Sequence, residues 1–197
     1  MKWPTAEIIY VLGTSDDINS LDTGFFKDNL TIGINQTMPV VEKTGEQLTY
    51  WVCVDAFKQF YEFLVRDTSP DTIKLVVDEY ADTTLLANLA GLVRNKDSVR
   101  TYMHVYDIGV SCCLEPVILG CQRFSILCAI ALAAGLRPRE IRLRGVSLGG
   151  GYCNTERGPN ANEYYDEIAN HLRGLQPFLA EDGIKLINDT ENTDFLK

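Results

Sequence analysis

In the sequence, Gly13, Thr14 and Ser15 follow one apolar run, Asn35 and Gln36 a second, Asp55 a third and Ser147 a later one. Together they supply hydroxyls, amides and a carboxylate, and the glycine leaves backbone N–H groups open to a ligand. That set suits a phosphate-bearing small molecule held by backbone N–H groups and the positive end of a helix. If the apolar runs are strands of one parallel sheet, all these positions fall at carboxyl ends, where open α/β sheets bind ligands. Each position also has a structural use. Thr14 and Asp17 have the spacing of a capping box, with acids favourable at a helix start; Asn35 suits a turn and Asp55 an N-cap.

Asp16 and Asp17 set the first turn apart from an ordinary phosphate loop, because two carboxylates repel a phosphate. Gly149, Gly150 and Gly151 make a loop of close approach or of mobility, but no GK[ST] follows, and "LGTSDD" is not a GxGxxG fingerprint. Histidine chemistry is limited to His104, inside a strand pattern, and His171, in the last helix and facing either the cleft or solvent. Tyr164 and Tyr165 open that helix and could bond a phosphate or pack as aromatic core. Arg123 begins an apolar helix, where the dipole disfavours a cation, and so is a candidate anion ligand.

The elements that would position these groups alternate along the chain. Strands are expected at 7–12, 30–34, 49–54, 72–77, 100–106, 140–146 and 184–187, and helices at 56–66, 83–94, 123–134 and 162–181. Several strands are apolar at consecutive positions, as when helices cover both faces. The helix "RFSILCAIALAAG" is apolar nearly all round, so it should be buried against the sheet, with Gly135 as left-handed C-cap and Pro138 blocking continuation. Residues 110–119 and 149–161 read as long loops. The expected fold is α/β: a single Rossmann-like domain over 1–197, with a doubly wound, mostly parallel sheet and helices on both faces.

Composition narrows the function. A chain of 197 residues, 46% apolar, with net charge −9 can bury a substantial core and argues against a broad nucleic-acid-binding surface. The absence of a long apolar segment predicts a soluble, cytoplasmic protein without a transmembrane span, in which the six cysteines are reduced thiols. Cys53 and Cys128 sit in apolar runs and read as core; Cys112 and Cys113 have no CxxC or His partner, so no metal site is assigned.

These motifs resemble those of the bacterial sialyltransferases of glycosyltransferase family 42 and of proteins sharing that nucleotide-binding fold. Gly13-Thr14-Ser15-Asp16-Asp17-Ile18 is similar to the family's first turn and its spacing to "LD"; "GINQT" is similar to its second strand end; Asp55 in "VCVDAFKQFYEF" matches its third. "CAIALAAGLRPREIRLRGVSL" resembles its Ala-rich helix and following strand, and "EDGIKLIND" its last helix and strand. The resemblance implies a transferase that moves a sugar from a CMP-activated donor to a glycan acceptor, with no tightly bound cofactor. It implies nucleotide contacts from Gly13, Thr14, Ser15, Asn35, Gln36 and Asp55. Arg123 and Phe124 stand where the family has a Ser-Gly pair, with Ser125 adjacent, and Tyr152 lies near the position of a leaving-group tyrosine. No histidine occurs in 160–165, which leaves Asp55 and His171 as candidate bases. Two other readings stay open: an Mg²⁺-dependent pyrophosphoryl transferase using Asp16, Asp17 and Asp55, and a non-catalytic binding relative. An oligomer of identical chains is compatible with all three.

Overall fold

Runs rich in Ile, Val and Leu, each too short for a helix, make the strands of this protein. In a computed structural model, residues 5–53, 71–77, 99–105, 112–114, 117–120, 124–148, 161–191 and 195–196 are described. The strands among them are β1 (Ile8–Leu12), β2 (Leu30–Ile34), β3 (Tyr50–Cys53), β4 (Ile73–Val77), β5 (Val99–Val105), β6 (Cys112–Leu114), β7 (Val117–Gly120), β8 (Glu140–Arg144) and β9 (Lys185–Asn188). They form one sheet in the order β6-β7-β5-β4-β3-β2-β1-β8-β9, parallel throughout except for the antiparallel β6-β7 pair at one edge. The described helices are a 3-10 turn (Asp16–Ser20), α1 (Phe25–Asp28), α2 (Thr37–Glu42), α3 (Ser125–Gly135) and α4 (Ala161–Glu181). The architecture is α/β and Rossmann-like.

Side-chain alternation divides the sheet into two faces. On one face, Ile9, Val11, Ile32, Ile34, Tyr50, Val52, Leu75, Ile141 and Leu143 pack against α3 and against Leu172 and Leu179 of α4. Residues 126–133 of α3 are all buried, as expected for a helix apolar on every side. On the other face, Gly33 leaves room for Thr37 of α2 and for Leu48: a Cβ there would lie 2.3 Å from the Thr37 hydroxyl. Met38, Val41, Leu48 and Trp51 are buried around it. Cys53 and Cys128 are buried, as expected.

The structure corrects several expectations. Residues 110–119 are not simply a loop, since they contain β6 and most of β7; these strands of three and four residues are too short to show a period in the sequence. Helices α1 and α2, of four and six residues, escape for the same reason. Gly135 is still helical, and the left-handed residue is Arg137, φ 55°. The N–H of Leu136 still reaches back to Leu132 and Ala133, so the reversal is delayed to the residue before Pro138, which proline keeps out of the right-handed helical region. The expected helices at 56–66 and 83–94 lie outside the described residues.

Candidate functional site

The strand order places a topological switch between β1 and β8. After β1 the chain turns to the 3-10 helix and α1, and after β2 to α2 on the Gly33 face; β8 is instead flanked by α3 and α4 on the opposite face. Loops that leave neighbouring strands toward opposite faces open a crevice at their carboxyl ends, the usual ligand position in such sheets.

Backbone and hydroxyl contacts stitch together the two turns at this point. Gly13 N–H donates to the Arg144 carbonyl at 2.7 Å, and Ser15 N–H to the Gly145 carbonyl at 2.9 Å. The Ser15 hydroxyl accepts from Ser147 N–H at 3.0 Å and lies 2.8 Å from the Ser147 hydroxyl. Gly13 has to be glycine on grounds of space, because a Cβ would stand 2.2 Å from the Gly145 carbonyl oxygen. Gly145, at φ 71°, and Leu148, at φ 49°, turn the β8 side of the crevice through left-handed backbone.

Asp17 takes a role that its sequence position hides. Thr14 and Asp17 do not form a capping box: the N-cap of the 3-10 turn is Ser15, whose side chain makes no capping bond, and the Asp17 carboxylate accepts from Gly145 N–H at 3.2 Å. Burial is the largest influence on the Asp17 carboxyl and raises its pKa; the Gly145 N–H opposes that rise. Asp16 is exposed.

At the end of β2, Asn35 sits in left-handed backbone, φ 44°. Its carbonyl accepts from the Trp51 indole N–H at 2.8 Å, and its side-chain oxygen from the Ser125 hydroxyl at 2.8 Å. Trp51 packs on one face of the sheet and Ser125 starts α3 on the other, so Asn35 joins both layers. Phe124 holds the N-cap position of α3 and makes no side-chain capping bond, and the Ser125 bond sets the positive helix end beside Asn35.

Of the residues singled out in the sequence, Gly13, Thr14 and Ser15 meet at the switch point, and Asn35, Gln36 and Ser125 gather at the neighbouring strand end. Among the described residues the Thr14 hydroxyl has no partner, and Thr14 is half-buried. Asp55, Arg123 and Tyr152 lie outside the described residues. His171 is on α4, with its Nε2 3.7 Å from the Glu167 carboxylate and its ring centroid 6.3 Å from that of Phe124. The ten residues of α4 that precede it span about 15 Å. Because α4 ends where β9 begins, that half projects past the start of α3 on the crevice side. His104 falls on β5.

Sequence reasoning passed over the end of β9. Asn188 and Thr190 are buried there: the Asn188 amide donates to the Val146 carbonyl at 3.1 Å and the Thr190 hydroxyl accepts from Val146 N–H at 2.9 Å. They hold the β8 turn from the side opposite Ser15. The strand-end rule applied to "KLINDT" would have found them.

Among the described residues no helix is long and apolar enough to cross a membrane, and no group of three metal-ligating side chains occurs. The fold and the crevice define an α/β protein of Rossmann-like class. Compared with protein-family models and with curated proteins, the chain has no match.

Proposed function

We propose that the crevice between the β1 and β8 turns binds the nucleotide of a CMP-activated sugar, and that the protein transfers the sugar to a glycan hydroxyl. The observation that supports this reading is that Thr14 at the topological switch point is followed, at the neighbouring strand end, by Asn35 bonded to Ser125 at the start of α3. None of these groups is basic, so recognition falls to neutral donors: the Thr14 hydroxyl, the Asn35 side-chain amide and the helix end, which together suit a singly bridged phosphate. His171 and Asp55 are the candidate bases for the acceptor hydroxyl. His171 lies level with the start of α3, with its Nε2 3.7 Å from the Glu167 carboxylate. The departing phosphate gains most from preorganised N–H groups, since these need no rearrangement as charge develops.

Thermal melting with millimolar CMP, CMP linked to a sugar acid, and ATP with and without Mg²⁺ tests the reading. A nucleotide at one hundred times its Kd stabilises the folded state by about 2.7 kcal/mol, a readily measured rise in Tm. The expected result is a CMP-dependent rise that needs no metal and is reduced in Thr14→Val. A rise with ATP that requires Mg²⁺ and is absent with CMP would assign pyrophosphoryl transfer instead. No response to any nucleotide would remove both and leave a non-catalytic binding protein.

A further inference from the structure

Beside the crevice, on the face of β8 and β9 opposite α3 and α4, lies an open groove of about 540 Å³ lined by Arg142, Arg144, Ile187, Asn188, Asp189, Thr190 and Glu191. Its two arginines differ sharply. Arg142 is neutralised by Glu140 at 2.7 Å and Asp189 at 3.1 Å. Arg144, two residues on and on the same face, makes no ion pair or side-chain hydrogen bond among the described residues, and its Nε is buried without a partner. In a chain of net charge −9, an arginine left without a carboxylate is unusual. Arg144 lines the groove with a guanidinium that has no carboxylate partner among the described residues, and the paired N–H groups of such a fork match an oxyanion.

The rest of the lining narrows what that oxyanion belongs to. Glu191, exposed at the rim, and Asp189 repel a ligand that is anionic throughout and accept hydrogen bonds from hydroxyls. We propose that this groove binds a small polyhydroxylated organic anion, with the Arg144 guanidinium taking its carboxylate or phosphate and Glu191 taking its hydroxyls. The groove has room for a monosaccharide, and its volume is within the several hundred Å³ usual for small-molecule sites. The groove adjoins the nucleotide crevice across the β8 turn, which Asn188 and Thr190 hold. Its oxyanion chemistry is shared by sugar acids and sugar phosphates.

The experiment is calorimetric titration of the full chain at low ionic strength with glucuronate, glucose 6-phosphate and uncharged glucose, each repeated with CMP titrated in parallel. Saturable binding of one or both anionic sugars and none of glucose is expected, and the tighter of the two distinguishes carboxylate from phosphate. Arg144→Gln should weaken that binding by roughly tenfold or more while leaving the CMP response as it is in the unsubstituted chain. Arg144→Lys retains the charge but not the paired N–H groups and should fall between the two; it decides the matter if Arg144→Gln fails to fold. Glu191→Gln should weaken the anionic sugars less than Arg144→Gln does. Equal binding of glucose, no saturable binding of either anion, or an undiminished affinity in Arg144→Lys and Arg144→Gln overturns the proposal. The CMP arm reports on the crevice by itself, so failure there leaves the groove standing, and the reverse.

Discussion

Gly13→Ala adds one carbon at the tightest point of the structure. Its Cβ would lie 2.2 Å from the Gly145 carbonyl oxygen and 2.8 Å from a Val146 methyl, whereas ordinary contact begins at 3.4 Å. The obstacle is backbone, so no rotamer change relieves it, and the β1 and β8 turns must separate by about 1 Å. The bonds that span that gap include Gly13 to Arg144 at 2.7 Å, Ser15 to Gly145 at 2.9 Å and Ser147 to Ser15 at 3.0 Å. Over-packing costs about 1–3 kcal/mol and each weakened hydrogen bond about 0.5–1.5 kcal/mol, so a total of about 4 kcal/mol is expected. For a chain of this size that lowers Tm by roughly 10 °C. Urea denaturation of Gly13→Ala beside Gly174→Ala checks the reasoning. Gly174 is in α4, where an added Cβ would meet nothing within 4 Å, and the same change there should stabilise by about 0.5–1 kcal/mol. A loss below about 1 kcal/mol in Gly13→Ala would show that the two turns are not locked together, and with them the description of the crevice would fall.

Three further outcomes follow from the same contacts. Burial raises the Asp17 carboxyl above its ordinary value of 3.8, so the folded chain binds that proton more tightly than the unfolded one; the stability this contributes is full below 3.8 and declines as pH rises through the folded-state value. Asp17→Asn keeps an acceptor for Gly145 N–H and removes that decline, so its stability relative to the parent should improve with rising pH in urea melts; a relative loss would contradict the assignment. Asn35→Gly should cost about 1 kcal/mol, for the bond to Ser125, and Asn35→Ala about 1–2 kcal/mol more, because alanine resists the left-handed backbone; the reverse order would mean that backbone conformation is not what selects Asn35. Thr190→Val leaves the buried Val146 N–H without an acceptor and should lower stability by about 1–3 kcal/mol in the same assay.

The sheet could be read from the sequence because its strands are continuous apolar runs that turn residues interrupt. The β2 boundaries agree to the residue, and β1, β4, β8 and β9 differ only at their ends. Residues 112–120 could not be read this way, since β6 and β7 are shorter than any period that could reveal them. The site was legible by position and illegible by contact. The strand-end rule gathered Gly13, Thr14, Ser15 and Asn35, but local spacing assigned Asp17 to its own helix, whereas its carboxylate meets Gly145, 128 residues away. Arg144 escaped attention because an arginine inside a strand pattern looks like any exposed charge; only the pairing of Arg142 beside it makes the difference visible.

The bond from the Trp51 indole to the Asn35 carbonyl makes the protein its own optical sensor. The indole is fully buried, so its emission depends on the few polar groups that it touches, and one of these belongs to the residue that lines the crevice. A molecule that draws Asn35 away alters that field without any dye or label. With the other tryptophan, Trp3, replaced by phenylalanine, the whole tryptophan signal of the chain comes from beneath the end of β2.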